Sequence, residues 1–148
     1  MLKTPILHPQ LLAALASAGH LGKVLISDGN YPHNTKPNPR ATYIYANFAP
    51  GVVGAAKMLE IVAQTIPIEA VELMAPETSG AYAMKTEPPI WADFRRILKE
   101  HADFTGEMIK LQKPQFHAQA RSEDTAVVIA TAETQIFANI LITIGVVR

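Results

Sequence analysis

Gly19-His20-Leu21-Gly22-Lys23-Val24-Leu25-Ile26-Ser27-Asp28-Gly29-Asn30-Tyr31-Pro32 takes the chain from a helix end through a strand and into a turn. Upstream, Leu11, Leu12 and Leu15 fall on one face of residues 9–18, which reads as an amphipathic helix. His8 lies near its cap, and Pro9 occupies the first turn, where a missing N–H costs nothing. Gly19 is a natural residue just past the helix end. The apolar run Val24-Leu25-Ile26 then predicts a short strand over 23–27, and Gly29 and Pro32 force the backbone to turn.

Downstream the same alternation continues. Residues 28–42, rich in proline and asparagine, form a loop long enough to suggest a functional role. Residues 42–46 read as a short strand. Pro50-Gly51 is expected to open a second helix, with Val53, Met58, Leu59, Ile61 and Val62 on a broad apolar face. Residues 71–74 are extended and lead into a loop that runs to Pro89. Over 90–101, Trp91, Phe94, Ile97 and Leu98 fall at helical spacing. A strand over 108–111, a short helix over 114–121, and buried strands over 125–130 and 138–147 complete the chain. The expected fold is α/β, a three-layer α/β/α arrangement with a central, mostly parallel sheet, in one domain over 1–148. The layout is Rossmann-like, but no G-x-G-x-x-G follows a strand, so a dinucleotide is not expected.

Composition narrows the function classes. Thirteen basic residues balance thirteen acidic ones, and no basic stripe suggests nucleic acid. There is no cysteine, which excludes disulfides and thiolate chemistry and is compatible with a cytoplasmic location. The N-terminal apolar stretch resembles a signal peptide, but His8-Pro9-Gln10 interrupts it, and it reads as the first helix. No run approaches the roughly 20 apolar residues of a membrane span. P-loop, G-x-S-x-G and H-E-x-x-H motifs are absent, and no histidine–carboxylate cluster shows metal spacing.

The candidate site residues each carry two readings. His20 is either a general acid–base group working near neutral pH or an imidazolium complementing a helix C-terminus. Asp28 is either an acceptor for substrate hydroxyls or an Asx-turn residue. Together they form a pair of unlike pKa expected to share one cleft and its proton transfers, His20 and Asp28 being the candidate catalytic residues. Asn139, in an apolar strand, is costly unless hydrogen-bonded. On a strand it shares a face with Phe137, and a ring beside an amide suits a sugar, with the alternative that the amide simply meets water at an edge. Lys113, Gln115, His117 and Arg121 crowd the short helix, as a site wall or as a solvated face. His33 and His101 read as surface residues, with His33 the better placed because it lies in the long loop. Tyr43 and Tyr45 share a strand face.

Four features together resemble the D-ribose pyranase and L-fucose mutarotase family. They are Gly19-His20 after the first helix, the turn Asp28-Gly29-Asn30-Tyr31-Pro32, Leu73-Met74-Ala75-Pro76, and Glu133-x-x-x-Phe137-Ala138-Asn139-Ile140-Leu141-x-x-x-Gly145-Val146. The resemblance spans nearly the whole chain, and the turn leans toward the fucose branch. It implies a monosaccharide isomerase that needs neither metal nor organic cofactor. His20 would be the proton donor, and Asp28 and the Phe137-Ala138-Asn139 segment would contact sugar. It also implies ring-shaped homo-oligomers, often decamers, with sites near subunit boundaries. Two positions depart from the pattern. Phe137 stands where the family usually has tyrosine, so a phenolic hydroxyl is missing there. A family histidine or arginine before a phenylalanine maps to Lys113 counting from Phe116 and to Gln115 counting from Asn139, with His117 as a substitute. The leading expectation is therefore a sugar mutarotase or pyranase acting by acid–base ring opening. The alternatives are a sugar-binding protein that has lost catalysis, suggested by Phe137, and a scaffold whose ring assembly is the function.

Overall fold

The computed structural model describes residues 1–147; the last residue of the expected 1–148 unit lies outside the described residues. In chain order the elements are α1 (Pro9–Ala18), β1 (Lys23–Ser27), β2 (Thr42–Tyr45), α2 (Ala55–Ala63), β3 (Ile68–Met74), α3 (Ile90–Ala102), β4 (Met108–Leu111), α4 (Lys113–Arg121), β5 (Thr125–Ala130) and β6 (Ile140–Ile144). The strands form one sheet in the order β2-β5-β1-β6-β3-β4. β1 and β2 pair parallel with β5, and β3 pairs parallel with β4. β6 enters between β1 and β3 and runs antiparallel to both. The sheet is thus mostly parallel, as expected, with β6 running against the rest.

Side-chain alternation divides the strands between two cores. Val24 and Ile26 of β1, Val127 and Ile129 of β5, and Ile140 and Ile142 of β6 face α1, α2 and α3. Leu25, Val128 and Leu141 point the other way, onto Phe116 and Ala120 of α4 and onto Tyr31 and Phe137. Helices therefore cover both faces. The second face is covered by one short helix and by loops, which leaves room for a hollow.

Local signals explain most element ends. His8 Nδ1 accepts from Leu11 N at 3.2 Å and caps α1, and Gly19 closes it with φ +72°. In α3 the buried residues Ile90, Trp91, Phe94, Ile97 and Leu98 form the expected stripe. Two expectations need correction. Pro50-Gly51 does not open α2: the chain turns there, with Gly51 at φ +80°, and α2 begins at Ala55 after the cap residue Gly54. The Ala55 N–H is met by Glu133 Oε2 at 3.2 Å, a carboxylate from far along the chain. The last strand is also shorter than expected. Phe137 has a left-handed backbone, φ +58°, so extended pairing starts only at Ile140.

Candidate active site

The carboxyl ends of β1, β3 and β4 and the beginning of β6 meet at one rim of the sheet. This is where open α/β sheets place their ligands. A cavity of about 330 Å³ lies there, lined by Asp28, Tyr31, Met74, Lys113, His117, Phe137 and Asn139 among others. That volume is at the lower end of small-molecule pockets, a size for a monosaccharide.

Asp28 follows directly on β1 and is 3% exposed. Its backbone N–H donates to Asn139 Oδ1 at 2.9 Å, and Asn139 Nδ2 donates back to Asp28 Oδ2 at 2.8 Å. Its other oxygen accepts from Asn30 N at 3.0 Å. Asp28 is therefore an Asx-turn residue and a site residue at once. Burial pushes its carboxyl above the ordinary 3.8, and the hydrogen bonds from Asn30, Asn139, Ala138 and Tyr31 pull the other way. Asn139 is buried, so the edge reading fails. Its amide is largely taken up by Asp28, with Nδ2 also 3.9 Å from Met74 Sδ. Its first task is to aim the carboxylate.

Phe137 and Asn139 both face the cavity while Ala138 packs into the opposite core. This is the expected division, reached without a strand. Trp91 Nε1 donates to Phe137 O at 3.2 Å and holds the left-handed turn that makes it possible.

Across the cavity, Tyr31 is buried with its ring edge-on to Phe116 at 6.3 Å. Tyr31 Oη and His117 Nδ1 are hydrogen-bonded at 3.1 Å. Burial, then Tyr43 and Asp28, push the Tyr31 phenol well above its usual range. Burial first, and then Lys36 and Lys113, hold the His117 imidazole below 6.5. Lys113 lies at the rim and pairs with Glu77 at 3.2 Å. Gln115 is occupied elsewhere: its Oε1 accepts from Gln112 N in the capping box of α4. The alternatives left open on this helix thus resolve to Lys113 and His117 as cavity residues.

His20 is placed differently from expectation. It precedes β1, Asp28 follows it, and five extended residues intervene. At roughly 3.3 Å per residue β1 spans about 17 Å, and the two groups lie beyond its opposite ends. His20 is half-exposed and pairs with Glu69 Oε2 at 3.0 Å, beside the start of β3. Within one chain, His20 and Asp28 do not converge. His33, expected on the surface, is half-buried against Ser27 Oγ at 2.8 Å, and burial lowers its pKa.

Tyr31 and the rim residue Tyr82 are cavity residues that the sequence did not single out. Tyr31 carried a signal, as an aromatic in the turn after a strand; Tyr82, in a polar loop, carried none.

Comparison with known proteins fits this geometry. The chain is 27% identical over 150 residues to the fucose mutarotase of Bos taurus, covering 95% of this chain and 90% of that protein. It superposes on FucU from Bifidobacterium longum with a TM-score of 0.80 at 26% identity, covering 95% of each chain. It also shares the fold of the fucose mutarotase from Streptococcus pneumoniae solved in complex with L-fucose, with a TM-score of 0.84 at 22% identity over the full length of both. The model of the RbsD / FucU transport protein family matches residues 1–147, and the chain belongs to that family.

Proposed function

We propose that this protein is a cofactor-independent sugar mutarotase or pyranase, interconverting the cyclic forms of a free monosaccharide such as L-fucose or D-ribose. The observation that carries the reading is the sugar-sized cavity at the strand ends. A clamped, buried carboxylate and an apolar ring, Phe137, share one wall of it. Asp28 anchors a hydroxyl, Phe137 packs a C–H face of the sugar, and Lys113 and His117 meet hydroxyls from α4. Ring opening needs one group to take the anomeric proton and another to protonate the ring oxygen. Ordinary side chains suffice for the roughly 10²–10⁴-fold that general acid–base catalysis supplies.

His20 remains the proposed proton donor, acting in the cavity of a neighbouring copy. A half-exposed imidazole at the far end of β1 suits a ring assembly, a decamer in this reading, whose sites lie at subunit boundaries. The proposed location is the cytosol. Anomer-exchange NMR on a panel of pentoses and deoxyhexoses tests the reading. Accelerated exchange on at least one sugar supports it, and no acceleration on any of them overturns it. A second reading, binding without catalysis, is favoured by Phe137, which offers the cavity no hydroxyl. It expects calorimetric sugar binding with unchanged exchange rates.

A further inference from the structure

We propose that Tyr31 and His117 form the proton-abstracting couple of this site, Tyr31 Oη meeting the anomeric hydroxyl and His117 Nδ1 receiving the phenolic proton. The inference rests on the mutarotase reading and names the base that it requires.

Three observations converge on this pair. Tyr31 and His117 line the same cavity, and Tyr31 Oη and His117 Nδ1 are already hydrogen-bonded at 3.1 Å. The phenol is held in one orientation by Phe116 edge-on, by His117 at 5.4 Å between ring centroids, and by His33 at 5.7 Å. Asp28 is the rival base, but each of its oxygens already accepts a hydrogen bond, from Asn30 or from Asn139. Both oxygens are thus aimed and occupied by the protein itself, which suits an anchor for a substrate hydroxyl.

The electrostatics agree. A buried phenol does not readily lose its proton to solvent, so it acts as a base only by passing that proton on at the same moment. The acceptor beside it is an imidazole held neutral by burial and by Lys36 and Lys113. In the step itself, the anomeric proton moves to Tyr31 Oη as the phenolic proton moves to His117 Nδ1, leaving an imidazolium. The O–H electron pair becomes the second bond of the aldehyde carbonyl. The bond from C1 to the ring oxygen breaks, its pair stays on that oxygen, and the oxygen takes a proton from the donor at the cavity mouth, His20 of a neighbouring copy or water. After rotation, the hydroxyl adds to either face of the carbonyl and returns its proton to the donor. The carbonyl oxygen recovers a proton from Tyr31, and Tyr31 recovers its own from His117.

The test is anomer-exchange NMR with the sugar on which the wild type is active, comparing Y31F, H117Q and the double variant. Phenylalanine keeps the ring, and glutamine keeps an acceptor that cannot hold the proton. Each single variant is expected to lose at least 100-fold in kcat with KM within about threefold, and the double variant to lose no more than the worse single one, because the pair acts as a unit. In the wild type, kcat should fall as pH drops below the ordinary imidazole value of 6.5, and H117Q should lose that limb. Burial, Lys36 from the long loop and Lys113 from α4 set the limb at His117, and the titratable groups that face its partner Tyr31 are Asp28 and His33 from the long loop and Tyr43 from β2. Wild-type kcat in Y31F, or losses that multiply in the double variant, would overturn the couple while leaving the mutarotase reading intact. A wild type that accelerates no exchange overturns both. Thermal melting confirms folding, and if Y31F does not fold, H117Q decides by the same criterion.

Discussion

Asn139 and Asp28 hold each other by two opposed hydrogen bonds, the Asp28 backbone N–H on the amide oxygen and the amide N–H on the carboxylate. This exchange locks the end of β1 to the beginning of β6. It gives a buried carboxylate a fixed direction toward the cavity.

Breaking the clamp should therefore cost stability as well as activity. Asn139→Leu keeps the volume and removes both partners. It leaves an N–H and a carboxylate oxygen short of bonds, at roughly 1–3 kcal/mol for each buried group. The urea midpoint should fall accordingly, and the Asp28 carboxyl should titrate still higher, because a bond that favoured its charged form is gone. Unchanged stability would mean that water replaces the amide.

Asp28 also gives stability a definite pH slope. Its folded pKa is raised above 3.8, so the folded state holds the proton more tightly than the unfolded chain. The favourable contribution is fully present below the unfolded value and is lost as pH rises through the folded one. The unfolding free energy of the wild type minus that of Asp28→Asn should decline across that window and then level off. A difference that grows with pH would contradict the raised pKa.

The separation of His20 from Asp28 allows a complementation experiment. His20→Ala and Asp28→Ala should each lower exchange by about 10²–10⁴-fold alone. Mixed and reassembled, the two inactive proteins should regain part of the activity, because some cavities then combine an intact Asp28 with an intact His20 from the next copy. No recovery, with mixed assemblies confirmed by mass spectrometry, would rule out a donor reaching across subunits.

Lys113 separates binding from folding. Its pair with Glu77 is exposed on both sides, and such pairs contribute about 0–1 kcal/mol. Lys113→Met should leave the melting temperature nearly unchanged. It should weaken sugar binding about tenfold by calorimetry, the scale of one charge-assisted hydrogen bond.

Much of the fold was legible because its signals are local. The Val24-Leu25-Ile26 run, the cap at His8 and the stripe from Trp91 to Leu98 each act within a few residues of themselves. The errors arose where a distant partner decides. Pro50-Gly51 resembles a helix start, but Glu133 sets where α2 begins. The run before Ile140 resembles a strand, but Trp91 holds Phe137 in a left-handed turn. Asp28, Phe137 and Asn139 could be read as site residues from turn chemistry and from the cost of a buried amide. The placement of His20 could not be, because closeness along the chain conceals the full length of β1 between it and the carboxylate.

The indole bonded to Phe137 makes this molecule its own optical probe. Trp91 is the only tryptophan in the chain, so its emission has a single source. Its N–H ends on the carbonyl of the residue whose ring forms the cavity wall, and Lys110 Nζ sits 5.5 Å from its ring centre. A sugar pressing on Phe137 would disturb that bond and change the fluorescence, so occupancy can be followed without label or coupled assay.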